Sequence, residues 1–139
     1  MKEESDWLVS LPLKSYISYG MTETVSHVAL SELSKSGVPL YRALPDVRFS
    51  TDDRDCLVIH ADYLQGSPFV TNDVVELLSE GSFHWLGRWD NVINTGGVKV
   101  FPEKMEKKIE QLMAVPYYFV GEPDAKFGQR VVLKIESEP

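Results

Sequence analysis

The sequence predicts an α+β fold: a β-rich stretch over residues 1–87, followed by a small β-α-β-β unit over residues 88–139. Three observations carry that expectation. Apolar residues recur with a period of two through much of the first stretch, a helix-period apolar face occurs once, after Pro102, and the charge is unevenly placed. Of the 21 acids and 14 bases, 13 acids and 6 bases precede Arg88, leaving 8 of each after it. Composition and charge therefore both shift near Gly87/Arg88, where the boundary is expected.

In chain order, Leu11, Leu13, Ile17 and Tyr19 alternate as a strand running into Gly20. Thr22 to Leu33 reads as a short helix or loop, and Ser34-Lys-Ser-Gly-Val-Pro39 as a turn. Val47-Arg-Phe49 and Cys56-Leu-Val-Ile-His60 read as strands around the acidic turn Thr51–Asp55. Val74 to Leu78 and Phe83 to Leu86 flank Ser79-Glu-Gly-Ser82 as a hairpin. In the second stretch Val98 to Phe101 is extended, and Pro102 occupies the position where a helix starts. Met105, Ile109, Leu112 and Met113 give that helix one apolar face; Pro116 limits its length. Lys104, Lys107 and Lys108 read as its solvated face. Tyr117 to Val120 and Val131 to Ile135 read as strands around a turn-rich Gly121-Glu-Pro-Asp124. Lys134 alternates to the solvent side of its strand, opposite Leu133 and Ile135.

At 139 residues, 43% hydrophobic and 25% charged, the chain has the balance of a soluble globular protein, one domain or one with a satellite. The hydrophobic fraction excludes a disordered tail, and no apolar run is long enough to cross a membrane. A net charge of -7 with no basic stripe argues against nucleic acid or an anionic membrane surface as partner. The acidic start, Met-Lys-Glu-Glu-Ser-Asp, is unlike a secretory signal. Cys56 is the single cysteine, which excludes a disulfide framework and a cysteine-rich zinc site and fits a reducing cytoplasm. At the head of an apolar run, it reads as buried and inert.

Three segments carry chemistry. In Ser18-Tyr-Gly-Met-Thr-Glu-Thr24, Gly20 admits close backbone approach to a flat ligand and Tyr19 offers a ring face. Thr22 brings a hydroxyl for a phosphate, and Glu23 a carboxylate for Mg²⁺. Read alone, the same residues make a strand-end turn with a buried tyrosine. In Phe69-Val-Thr-Asn-Asp-Val74, Asp73 can accept hydrogen bonds from two ribose hydroxyls, or simply cap an Asn-Asp turn. In Gly87-Arg-Trp-Asp-Asn-Val-Ile-Asn-Thr-Gly-Gly-Val-Lys-Val-Phe-Pro-Glu103, Arg88 supplies a fork for sugar or phosphate oxygens. Asp90 stands at the composition break, where a hinge would lie. Gly96-Gly97 lets backbone approach a thin ligand, with Lys99 on the strand after it; a linker with a glycine turn explains the glycines alone. Phe83, Trp85 and Trp89 read as core rather than ligand-stacking groups.

In this order, the three segments resemble the second half of adenylate-forming enzymes of the acyl-CoA synthetase, luciferase and peptide-synthetase adenylation superfamily. The likeness runs from about Tyr16 to Leu133. Asn72 replaces the glycine of the family's Thr-Gly-Asp pattern, and the acidic-apolar order after Pro102 is shifted. Trp85 to Gly97, the compact spacing from Glu23 to Asp73, and Pro123-Asp-Ala-Lys-Phe-Gly-Gln-Arg130 resemble the o-succinylbenzoate–CoA ligases of menaquinone biosynthesis in particular.

The resemblance implies the β-rich end of a large AMP-binding domain over 1–87 and an incomplete small mobile domain over 88–139. It implies a two-step ligase: a carboxylate attacks the α-phosphorus of ATP, releasing pyrophosphate, and the thiol of coenzyme A then displaces AMP. By carry-over, Tyr19, Gly20 and Met21 flank adenine, Thr22 contacts the α-phosphate and Glu23 ligates Mg²⁺, making Thr22 and Glu23 the catalytic pair. Asp73 and Arg88 bind ribose hydroxyls, and Asp90 is the hinge. Gly96, Gly97 and Lys99 line the coenzyme A tunnel, and Ser26 and His27 approach the acyl group, although His27 reads equally as a surface or core histidine. The family's Ser/Thr/Gly-rich phosphate loop and its Gly-Lys adenylation lysine have no counterpart here. The chain is therefore expected to be a ligase fragment, inactive alone, with self-association through surface the missing part would cover. Two alternatives stand beside this: a non-catalytic nucleotide-binding or partner-docking module, and an adenylation enzyme for another acid or acceptor.

Overall fold

The computed structural model describes residues 7–34 and 37–136 and separates into two units, residues 1–85 and 86–139. The first is built on a seven-stranded sheet. Its strands are β1 (Tyr16–Gly20), β2 (His27–Glu32), β3 (Leu40–Ala43), β4 (Val47–Thr51), β5 (Cys56–Ala61), β6 (Phe69–Ser79) and β7 (Ser82–Arg88), the last running on past the division. Their order is β1-β2-β3-β7-β6-β5-β4. Period-two alternation is cleanest on β4, where Val47 and Phe49 are buried and Arg48 is exposed. β5, paired with β4 on one side and β6 on the other, is buried at every position but His60, so neither of its faces alternates into water. Val28, Ala29, Val47, Phe49, Leu57, Ile59, Ala61, Val75 and Phe83 form the core. Each large side chain there stabilises the fold by about 1.5–3 kcal/mol through loss of apolar surface to water. Phe83 is its centre, edge-on to Phe49 at 5.0 Å and to Tyr19 at 5.2 Å.

The acidic turn between β4 and β5 closes on Asp52. Its Oδ1 accepts the backbone N–H of Arg54 and of Cys56, both at 2.9 Å, so a carboxylate replaces ladder bonds where the chain reverses. Cys56 is buried, and burial first, then the nearby Asp52 charge, pushes its thiol above the ordinary range.

The second unit is a four-stranded antiparallel sheet with one helix. β8 (Ile93–Thr95) and β9 (Val98–Val100) form a hairpin, α1 (Pro102–Ile109) follows, and β10 (Tyr117–Asp124) and β11 (Gly128–Ile135) complete the order β10-β11-β8-β9. The α+β class and its small helix-bearing end thus stand, with β8 as an additional strand. No helix among the described residues is long and apolar enough to cross a membrane.

Four local expectations are corrected. The strand predicted from Leu11 begins only at Tyr16, since residues 7–10 form a helical turn and 11–13 a bend. The Thr22–Leu33 segment is a 3-10 turn over Thr22–Thr24 and then β2, whose two buried faces hide the alternation. The apolar face of α1 ends at Ile109; Leu112 and Met113 lie beyond the helix, and Leu112 is 81% exposed. Gly121 to Asp124 is strand, not turn: β10 is an edge strand, where Pro123 needs no ladder donor, and the reversal falls at residues 125–127. The turn expected over residues 34–39 includes Lys35 and Ser36, and the acidic start covers residues 1–6; both lie outside the described residues.

Candidate functional site

In the first unit the site begins where β1 meets β2. A Cβ at Gly20 would lie 2.5 Å from the Ser26 carbonyl oxygen and 2.7 Å from His27 Cα. What the missing side chain admits is therefore the chain's own backbone, at a register shift between Tyr19 and Gly20. The Thr22–Thr24 turn that follows is tied by Thr24, a residue the motif reading passed over. Its buried hydroxyl receives the Met21 N–H at 3.1 Å and lies within bonding distance of the Met21 and Ser26 carbonyls, at 3.0 and 2.7 Å. Val25 then takes φ 62°, left-handed backbone that a β-branched residue rarely adopts, and is 85% exposed. Thr22, Glu23, Ser26 and His27 are all exposed on this strained turn, with Ser26 Oγ 3.2 Å from His27 Nδ1.

Asp73 is the best-defined group. It is 8% exposed, on β6, and both carboxylate oxygens are held by donors from other strands. Tyr19 donates its hydroxyl to Oδ2 at 2.6 Å, and Trp85 donates its indole N–H to Oδ1 at 3.1 Å. The Asp73 N–H donates to Thr71 Oγ1 at 3.0 Å. Donors on both oxygens fix the plane of a buried acceptor, as recognition of a sugar diol requires. Tyr19 thus has its ring against Phe83 and Tyr41 and its hydroxyl on Asp73, and Met21 packs partly buried against the core. Trp85, read from sequence as core, is also Asp73's orienting donor; its place on the same face of β7 as Phe83 was the available signal. Asn72, at the family's glycine position, accepts from Arg54 Nη1 at 3.3 Å, and Arg54 pairs with Asp52 at 2.8 Å.

In the second unit Arg88 closes β7 and Trp89–Asn91 forms a 3-10 turn. Arg88 and Asp90 pair at 3.9 Å, and Lys99 Nζ lies 5.2 Å from the Trp89 ring centre. Gly96 and Gly97 take φ 56° and 83°, the two left-handed positions of a tight hairpin, here between β8 and β9. Gly96 N–H donates to the Phe127 carbonyl at 2.9 Å, and Asp124 shapes the turn holding Phe127 by accepting its N–H and that of Lys126. Those backbone bonds hold the Asp124 carboxyl below the usual range. Glu106, on α1, caps the Phe119 N–H at 2.9 Å, and Lys134 pairs with Glu122 on the neighbouring strand.

No group of three or more metal-ligating side chains occurs among the described residues. A lone exposed carboxylate such as Glu23 fits Mg²⁺ in the mode where phosphates and water supply the other ligands.

The chain is homologous to the C-terminal portion of AMP-forming acyl-CoA ligases. No family model matches it. Among curated relatives, 2-succinylbenzoate–CoA ligase of Listeria monocytogenes serovar 1/2a (strain EGD-e) is 31% identical, over 87% of this chain and 30% of the relative. 3-Oxocholest-4-en-26-oate–CoA ligase of Rhodococcus rhodochrous is 40% identical, over 45% of this chain and 11% of the relative. The solved structure of an acyl-CoA synthetase (AMP-forming)/AMP-acid ligase II-like protein from Dyadobacter fermentans is 39% identical with TM-score 0.61, covering 97% of this chain and 40% of that one. The chain thus spans less than half the length of each.

Proposed function

We propose that the chain carries the adenosine-binding and hinge elements of an ATP-dependent acid–CoA ligase. The oriented Asp73 carboxylate carries this reading: a buried acid bound on both oxygens is built to receive vicinal hydroxyls. Tyr19 and Trp85 position Asp73, while the backbone from Gly20 to Met21 flanks the base. Thr22 contacts the α-phosphate, and Glu23 holds Mg²⁺, which when bound neutralises phosphate charge. Ser26 and His27 approach the acid. In the second unit, Arg88 donates to nucleotide oxygens, Asp90 is the pivot, and Gly96, Gly97 and Lys99 border the path of the thiol. The domain reading assigns residues 1–87 to the large AMP-binding domain and 88–139 to the small mobile one.

The acid is proposed to be 2-succinylbenzoate or a close analogue, as in menaquinone biosynthesis, within the cytoplasm. A relative named for that substrate aligns over 87% of this chain, against 45% for the steroid-acid ligase. The sequence offers no phosphate loop and no Gly-Lys adenylation lysine, so the isolated chain is expected to bind nucleotide without forming thioester.

Titration of the 139-residue chain with AMP, read by calorimetry and tryptophan fluorescence, tests this. Saturable binding that weakens at least about tenfold in Asp73→Asn is the expected result, the loss of one charge-assisted acceptor being worth roughly 1.5–3 kcal/mol. Absence of binding at millimolar AMP, or equal binding by Asp73→Asn, would overturn the assignment.

A further inference from the structure

The turn that carries Asp90 is held by a group outside every motif role assigned above. Glu103 is the second residue of α1, and its Oε1 accepts two donors from the turn: the Arg88 N–H at 3.3 Å and the Asn91 side-chain amide at 2.7 Å. These bonds reach 15 and 12 residues back along the chain, so one carboxylate ties the entry and the exit of the Trp89–Asn91 turn to the helix.

The other oxygen explains Gly87. Glu103 Oε2 is buried and finds no hydrogen-bond partner among the described residues. A Cβ at Gly87 would lie 2.5 Å from that oxygen and 3.1 Å from Glu103 Cδ. A side chain at position 87 would displace the carboxylate from this seat, and the φ of 157° there independently favours glycine. The glycine and the glutamate, 16 positions apart, form a matched pair.

An arrangement with two bonds on one oxygen and none on the other is tight but not fully satisfied. That is the energetic character of a contact that holds a turn in one state and can be given up for another. We propose that Glu103 is a latch on the Asp90 turn: seated against Gly87 it fixes the backbone of residues 88–91, and it must leave that seat before the φ and ψ angles of the turn can change. Glu103 is a positioning residue and acts through the turn. Its consequence for domain rotation rests on the reading of Asp90 as the pivot; the latch itself does not.

Hydrogen exchange in the unliganded 139-residue chain tests the latch directly, because the Arg88 N–H is itself one of the latch bonds. Glu103→Ala removes the acceptor. Gly87→Ala leaves the carboxylate and its charge in place but fills its seat. Both are expected to speed exchange of the Arg88 amide, and of the Val92 amide that closes the turn onto the Trp89 carbonyl, by about tenfold or more. Amides of the paired strands β10 and β11 should keep their protection, and Glu110→Ala, which removes an exposed acid just past the same helix, should change nothing.

Unchanged Arg88 exchange in Glu103→Ala overturns the latch whatever Gly87→Ala shows, because alanine at φ 157° strains the neighbouring backbone by itself. So does uniform acceleration across β10 and β11, which would reduce Glu103 to a contributor to general stability. Since no nucleotide is present, a failed AMP titration leaves this result intact, and a failed latch leaves the Asp73 titration intact.

Discussion

The pair Asp73–Trp85 shows how a residue read as core becomes part of a site. Phe83 and Trp85 share one face of β7, but Phe83 is fully buried whereas Trp85 keeps its indole N–H on Asp73. Trp85→Phe preserves most of the apolar contact and deletes the donor, leaving a buried carboxylate oxygen short of one partner. Such a loss costs about 1–3 kcal/mol. Urea denaturation should show it, and AMP affinity should fall with it because the carboxylate plane loses the Trp85 donor. A stability change below about 0.5 kcal/mol, the scale of ordinary surface substitutions, together with unchanged AMP affinity, would mean that the Trp85 donor does not orient Asp73. Gly20 teaches the converse. Its signal in the sequence is real, but the close approach it permits is to the Ser26 carbonyl, a contact that no local pattern can reveal.

At the level of elements, an alternating strand or an unbroken apolar run was legible, as in β4 and in β5, whose Cys56-Leu-Val-Ile59 is buried throughout, but a short strand that mixes buried small and polar residues was not. Val47 and Phe49 announce β4 because Arg48 between them faces water, whereas Val28 and Ala29 on β2 are adjacent and both buried, which erases the period. The helix start was legible from Pro102, and its stop was not: Leu112 continues the 3.6-residue pattern although α1 ends at Ile109. The same limit applies to the candidate site. Residue types within one short segment were readable, but the bonds that join Tyr19 to Asp73, or Glu103 to Asn91, span 54 and 12 residues and depend on the fold. Paired substitutions in α1 measure the difference between pattern and packing. Ile109→Ala, at a half-buried helix position, should destabilise the second unit by about 1–2 kcal/mol, while Leu112→Ala should stay within about 0.5 kcal/mol. Equal costs by chemical denaturation would mean that Leu112 packs against something after all.

For the molecule as a whole, the charge balance makes stability a function of pH from both ends. Asp52 in the first unit is lowered: burial raises it, but the bonds from the Cys56 N–H and from Arg54 outweigh that. In the second unit Glu122 is lowered by its bonds to Lys134 and Arg130, and Asp124 by the Phe127 and Lys126 amides. A carboxyl depressed on folding contributes stability above its unfolded value and loses it as pH falls through the folded one. Lys134 and Arg130 are raised, first by the Glu122 bond, so their share is present below their ordinary values and is lost as pH climbs through the raised ones. One surface cluster therefore acts at both limits. The urea midpoint should be flat from about pH 5 to 8 and fall below about pH 4 as the carboxylates protonate. In alkali it should fall first as pH passes the ordinary value of a thiol, because Cys56 stays protonated longer when folded than when unfolded, and further above about pH 10.4 as Lys134 deprotonates. Glu122→Gln discriminates. Its deficit relative to the unsubstituted chain should be largest across the plateau and shrink in acid, where Glu122 is already neutral, and again in strong alkali, where Lys134 is. A deficit that persists undiminished at pH 3 would assign the effect to packing of the Glu122 stem between Arg130 and Lys134 and not to its charge.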